Sequence, residues 1–195
     1  MYTLALLFLD NSQPDAAEDA ALRNIDLLSE KGEEFLLCQA HHLLGDVYRG
    51  KGEKEKGIHH YKTGLGIASP FDWQHEVFRI HCSTAELFSD EDEFDDANTH
   101  IEQAKSHAAN DARNLGLGTE SQANIWYGQG RLEDARAEAL CALEIYEGLG
   151  AATDVRICRE LLREIERAME GRNLDKPNSD CEFPTHDATF HRYPC

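Results

Sequence analysis

Apolar residues recur three and four positions apart near the end of the chain. The positions are Val155, Cys158, Leu162, Ile165 and Met169. An α-helix turns once in about 3.6 residues, so this spacing places all five side chains on one face. Arg and Glu fill most of the positions between them. The pattern predicts an amphipathic helix over residues 151–170 with one face in water.

A second pattern recurs along the rest of the chain, at intervals of about 40 residues. A small residue is followed three positions later by an aromatic residue, and another small residue comes twelve positions after the first. The small and aromatic pairs are Ala5 and Phe8, Gly45 and Tyr48, Ala85 and Phe88, and Ala123 and Trp126. The later small residues are Ala17, Gly57, Ala97 and Ala135. Both marks keep the same register through steps of 40, 40 and 38 residues, which indicates an array of four helix pairs.

Turn-forming residues divide each unit into two helices, because a cluster containing Gly, Pro, Asn or Asp follows each aromatic residue. The predicted first helices span residues 2–10, 34–50, 74–89 and 113–128. The predicted second helices span residues 15–30, 54–68, 94–109 and 132–147. An aromatic side chain needs a notch, which a small residue on the neighbouring helix provides. The marks therefore predict close packing between the helices.

The units resemble the tetratricopeptide repeat, which also has two antiparallel helices with small and aromatic residues in this order. The segment LGDVYRGKGEKEKGIHHYKTGLGIASP carries the resemblance best, and RLEDARAEALCALEIY matches almost as well. Residues that match the motif in the first segment are Leu44, Gly45, Tyr48, Gly52, Gly57, Tyr61, Gly64 and Pro70. The resemblance covers residues 1 to about 170. It implies an all-α, right-handed superhelical solenoid of about four helix pairs, closed by the capping helix 151–170.

Two features refine the resemblance. The period near 40 residues exceeds the usual repeat of about 34 residues. Segments such as ASPFDW and DEDEFDDANTHIEQAKSHA are similar to the degenerate arrays of fungal STAND-type signalling proteins. Together with the short first helix, this implies that the chain is one end of a larger protein. Residues 171–195 lack periodicity and are rich in Pro, Asn and Asp, so we expect a mostly disordered tail.

Charge and cysteine content narrow the partners and the compartment. The chain has 19 basic and 37 acidic residues, a net charge of −18, which disfavours nucleic acid or an anionic membrane surface as a partner. No stretch reaches the roughly 18 apolar residues that a membrane span requires. The six cysteines form no CxxC pair, so we expect buried or half-buried free thiols and a cytoplasmic protein.

Catalytic and cofactor motifs do not stand out. The glycines of Gly50–Gly57 lack the closing Lys-Ser/Thr of a phosphate-binding loop, and we assign them to a repeat turn. Neither of the adjacent pairs, His41-His42 and His59-His60, can chelate a metal ion alone, because neighbouring side chains on a helix point about 100° apart. The acidic run Asp90–Asp96 lacks the pattern of a calcium loop and suits a solvated turn. We therefore expect neither an enzyme nor a cofactor.

One metal pattern occurs in the tail. Its candidate zinc ligands are Cys181, His186, His191 and Cys195. These ligand types suit tetrahedral zinc, although the spacing matches no known finger. A zinc- or thiol-responsive regulatory module is therefore the alternative function.

The leading hypothesis places function in the groove that the resemblance implies. First helices of such arrays line a concave surface that takes a peptide or a partner helix. The residues expected there are Gln39, His42, Asp46, Arg49, Arg79, Cys82, Glu86, Ser89, Leu117, Glu120, Asn124 and Tyr127. The resemblance implies a non-catalytic protein-interaction module at the regulatory or scaffolding end of a signalling assembly. Asp46 and Glu86 stand at positions where chaperone-binding members hold a terminal carboxylate, so we expect no such binding.

Overall fold

A computed structural model describes residues 13–108 and 111–175, with side chains described as far as residue 172. Eight α-helices and one short 3-10 turn, Ser69–Phe71, make up nearly all of the described residues, and no strand occurs among them. The helices are α1 (Pro14–Lys31), α2 (Glu34–Gly50), α3 (Lys54–Ala68), α4 (Gln74–Asp90), α5 (Phe94–His107), α6 (Ala112–Gly128), α7 (Leu132–Leu149) and α8 (Ala152–Asp175).

The helices pack in the order in which they occur. Within each unit the two helices pair most extensively, α2 with α3, α4 with α5, and α6 with α7. The first helices α2, α4 and α6 also contact one another in sequence, while α8 packs on α7 and touches α6. The molecule is therefore an all-α helical-repeat solenoid, as predicted.

Seven helices begin and end within two residues of their predicted limits, and the eighth is longer than predicted. Helix α8 runs on to Asp175, so residues 171–175 are helical and the expected tail is wrong for them. The sequence prediction ends this helix before Gly171. A glycine inside a helix costs only about 1 kcal/mol relative to alanine, and a side chain there would meet nothing within 4 Å. The predicted first helix, residues 2–10, and residues 176–195 lie outside the described residues.

The small residues of the repeat let the two helices of a unit approach closely. A methyl group added at Gly45 would overlap the ring of Tyr61, which is 1% exposed. In the third unit the equivalent residues, Ala85 and Ile101, lie together in one buried cluster. A larger partner thus faces a smaller notch residue, which keeps the seam between paired helices filled.

The turn between paired helices repeats as well. Gly52, Asp92 and Gly130 occupy equivalent positions and all have positive φ, of 70°, 59° and 72°. In each turn the next residue donates its backbone N–H to the carbonyl of the aromatic mark, as Glu53 does to Tyr48 at 2.8 Å. Glycine and aspartate occur here because this left-handed backbone disfavours most other residues.

None of the described helices has both the length and the hydropathy needed to span a bilayer.

Candidate functional site

The surface along α2, α4 and α6, where the sequence predicts the groove, is called the first-helix surface below. This surface is continuous because each first helix contacts the next. One end of this surface, near the C-termini of the helices, is acidic. The other end, near their N-termini, carries two arginines.

Arg49 organises the acidic end. Its Nε lies 2.6 Å from Oδ2 of Asp90, and its guanidinium also pairs with the carboxylate of Glu86. The hydroxyl of Tyr61 donates a 2.8 Å hydrogen bond to Asp46 on the same helix as Arg49. Two carboxylates therefore pair with one guanidinium, and a third, that of Asp46, lies near enough to act on the charge of Glu86, so this end has more carboxylates than cations.

The electrostatics of Glu86 reflect this crowding. Its pKa is raised because the packed helices remove part of the water around the carboxylate, and the charges of Asp46 and Asp90 add to the increase. Arg49 opposes the shift by stabilising the ionised form. A second cation at this end would bring the pKa of Glu86 back toward its usual range.

A pocket opens beside Arg49, between α4 and α6. The residues that line it are Arg49, Glu86, Ser89, Asp90, Ser121, Asn124 and Ile125. Four of them are predicted groove residues, and the structure brings these four together. The sequence analysis missed Asp90 because it belongs to the acidic run, although it lies one helical turn after Glu86 and thus on the same face.

A second pocket lies toward the N-termini of the first helices, beside the end helix. The residues that line it are His75, Arg79, Arg113, Asn114, Leu117, Tyr146 and Asp154. Arg113 pairs with Asp154 at 2.7 Å, and Arg79 lies 3.6 Å from Glu76. Each arginine thus has one acidic neighbour, so this end has no excess of either charge.

Two predicted groove residues are buried beneath the surface. His42 is 3% exposed and Cys82 is 5% exposed, so neither side chain is available to a partner. Nε2 of His42 lies 2.9 Å from Oγ of Ser83, which connects α2 with α4. Burial raises the pKa of Cys82 to about 12, and Glu86 adds to the increase, so the side chain is a thiol. The repeat period cannot separate a groove position from one immediately below it.

The remaining predicted residues also make contacts within the chain. Gln39 donates a 3.0 Å hydrogen bond to Glu76, a nearly buried carboxylate that bridges α2 and α4. Glu120 accepts one from the hydroxyl of Tyr146 at 2.8 Å, and burial raises its pKa. Tyr127 is partly buried against the apolar cluster of α7 and α8. Leu117 and Asn124 are exposed.

The other candidates from the sequence have a structural role or fall elsewhere. In the acidic run, Asp90 pairs with Arg49 and Glu93 pairs with Lys54. Among the described cysteines, Cys141 is exposed whereas the other three are buried, so the expectation of buried thiols is wrong for Cys141. Within residues 13–108 and 111–172, no three His, Cys, Asp or Glu side chains are grouped to hold a metal ion. The four candidate zinc ligands of the tail lie outside the described residues.

Comparison with known proteins identifies the fold. No family model and no curated protein matches the chain. Among solved structures it is similar to a protein described as a kinesin light chain of Podosopora anserina with nearly identical TPR-like repeats. The sequences are 13% identical over 89% of this chain and 87% of that chain, with a TM-score of 0.64. A single-residue variant of that protein gives 12% identity, 89% and 94% coverage, and a TM-score of 0.60.

BtubC (BKLC) from P. vanneervenii is also similar, at 15% identity over 97% of this chain and 92% of that chain, with a TM-score of 0.53. These likenesses confirm the tetratricopeptide-like fold. The further resemblance to fungal STAND-type arrays stays a prediction.

Proposed function

We propose that the protein is a non-catalytic interaction module that binds a peptide or a partner helix on its first-helix surface. The pocket beside Arg49 supports this most directly, because it combines side chains from all three first helices on one surface. Solenoids of this class present such surfaces to extended or helical partners. In the cell this module acts in the cytoplasm, as the regulatory or scaffolding part of a signalling assembly.

The acidic end favours one class of partner. Asp46, Glu86 and Asp90 outnumber Arg49, so a Lys or Arg side chain of the partner would offset the excess negative charge. The hydroxyl and amide groups of Ser89, Ser121 and Asn124 would accept hydrogen bonds from the same cation. A free C-terminal carboxylate would meet repulsion there.

A peptide library tests this proposal, because it samples many partner sequences at once. Peptides selected from a phage-displayed library on the full chain are measured by fluorescence anisotropy against wild type and against Glu86→Gln with Asp90→Asn. This pair of changes removes the charge but keeps the shape. Selected peptides should carry Lys or Arg, and their affinity should fall at least tenfold, a loss of about 1.4 kcal/mol or more.

The matched control is Glu102→Gln with Glu144→Gln, which neutralises two exposed carboxylates on the second helices. Unchanged binding by the control, beside weakened binding by the first variant, supports the proposal. Equal loss in both variants would show a general effect of net charge, and loss in the control alone would move the site to the second helices.

A further inference from the structure

Histidines meet in pairs at two equivalent places in the array. Nδ1 of His41 lies 3.0 Å from Nδ1 of His60, and Nδ1 of His81 lies 3.0 Å from Nδ1 of His100. Each member of the second pair follows its counterpart by 40 residues. In both pairs one histidine belongs to a first helix and the other to the second helix of the same unit, so the contact crosses the seam that builds the unit.

The aromatic mark of the repeat holds each pair in place. The ring of Tyr48 stacks on His60 with centroids 5.3 Å apart, and that of Phe88 stacks on His100 at 5.4 Å. His81 is 9% exposed, and its counterpart in the preceding unit is half-buried. The imidazoles are therefore held against each other, with His81 buried and the other three partly shielded from water.

Two ring nitrogens at this distance can share only one proton. One neutral imidazole donates its Nδ1–H, and the other accepts at a bare Nδ1. Adding one proton at the outer nitrogen of the donor leaves this hydrogen bond intact. Adding a second proton, to the acceptor, places two N–H donors and two positive charges face to face, and the contact must open.

The groups around the first pair leave it poorly compensated. His59 on α3 faces His60 edge-on, and Glu18 on α1 lies near enough to favour its charged form. Lys56 lies over the ring of Tyr48, 5.0 Å from its centroid. Near this pair, the carboxylate of Glu18 thus favours protonation, whereas the ammonium of Lys56 and the imidazole of His59 do not.

The second pair has similar surroundings. His107 on α5 stacks on His81 with centroids 6.0 Å apart, and both side chains line a pocket that Asp72 also lines. Asp96 on α5 favours the charged form of His100, whereas Lys62 on α3 opposes it.

We propose that the two histidine pairs make the second and third units an acid-sensitive segment, in which protonation separates α2 from α3 and α4 from α5 while the fourth unit stays packed. The equivalent positions of the fourth unit are Thr119 and Glu138, so that unit carries no such pair. The segment includes α2 and α4, so acidification would also change the first-helix surface.

Burial and the neighbouring histidines support this by shifting the titration. The pKa of His41 falls from 6.5 to about 4, first through burial and then through His60 and His59. The pKa of His81 also falls to about 4, through burial, His100 and His107. Because these values lie below that of the unfolded chain, the unfolded state binds more protons between pH 6.5 and about 4. Stability is therefore complete above pH 6.5 and is lost as the pH falls through that window.

Urea unfolding of the full chain between pH 8 and pH 4.5, with EDTA present to exclude metal ions, tests the proposal. Between pH 8 and pH 5, the folding equilibrium constant of the wild type should fall by up to about 30-fold for each of His41 and His81. This fall should come in addition to the one that the variant His41→Gln with His81→Gln shows over the same pH range. The control is His75→Gln, which removes an exposed histidine outside the pairs and should keep most of the wild-type acid response.

An imidazole NMR titration of the wild-type chain gives a second readout that needs no stable variant. His41 and His81 should stay largely neutral at pH 6, where an unperturbed histidine is largely protonated, and His60 and His100 should titrate below the usual range. The proposal is overturned if all the histidines titrate near 6.5, or if the pair variant loses stability with acid as steeply as wild type and the control.

Discussion

The seam inside each unit and the first-helix surface between units follow opposite rules. Along the seams of the second and third units the same contact recurs at the repeat interval, as the His41–His60 and His81–His100 pairs show. On the first-helix surface the equivalent residues differ, since Arg49 is followed by a serine at position 89 and a tyrosine at position 127. Units that pack in the same way need similar contacts along their seams. The first-helix surface is free of that requirement, so its residues can be specific for a partner.

The largest effect is expected from filling the notch of the second unit. Gly45→Ala would place a methyl group inside the Tyr61 ring and should lower the free energy of unfolding by about 3 kcal/mol. Gly66→Ala is the matched control, because that helical glycine has nothing within 4 Å of an added Cβ and should gain about 0.5–1 kcal/mol. Chemical denaturation measures both. Equal effects at the two positions would contradict the account of the seam.

A rescue experiment sharpens the same point. Adding Tyr61→Ile to Gly45→Ala copies the Ala85 and Ile101 combination of the third unit. The double variant should recover more than half of the lost free energy, after the loss of the Tyr61 hydrogen bond is taken into account. No recovery would mean that the units are not interchangeable along the seam.

An intermediate effect is expected at the second small residue of the fourth unit. Ala135 is fully buried, so Ala135→Leu should overpack the contact and cost about 2 kcal/mol. Ala137 is exposed on the same helix, and Ala137→Leu should change stability by less than about 0.5 kcal/mol. Thermal unfolding of both proteins checks the difference, and a tolerated leucine at position 135 would argue against the predicted notch.

The smallest effect on stability is expected at the first-helix surface. Arg49→Met removes both ion pairs, but Glu86 and Asp90 are about half exposed, so the cost should be below about 1 kcal/mol and should shrink in salt. Denaturation at low and high salt measures it. A loss above about 2 kcal/mol would show that this surface holds the fold together.

The sequence predicted the parts of the fold that rest on local, recurring signals. Small and aromatic marks gave the register of the units because each mark reports on packing inside a single unit, and the turn residues between the marks gave the helix limits. Contacts between units were harder to predict, because a repeat period places a residue on a helix face without giving its depth. The burial of His42 and Cys82 is an example. His41 and His60 both recur 40 residues later, as His81 and His100, and this shared step could have indicated that they are partners. A comparison of each histidine with only its immediate neighbours does not show this.

The full length of helix α8 and the role of Asp90 were missed for other reasons. Helix α8 extends past Gly171 because a single glycine is too weak a signal to end a helix. Asp90 belongs both to a polar turn and to the last turn of α4, and only the folded geometry shows that it pairs with Arg49.

The most direct test of the central claim, that partners bind on the first-helix surface, is a comparison of two tryptophan substitutions. Asn124→Trp would obstruct the pocket beside Arg49 from an exposed position, and Gln103→Trp places the same side chain on an exposed position of the second helix α5. Peptides selected on the wild-type chain should bind Asn124→Trp at least tenfold more weakly and Gln103→Trp with unchanged affinity. Retained binding by Asn124→Trp, with loss in Gln103→Trp, would contradict the account.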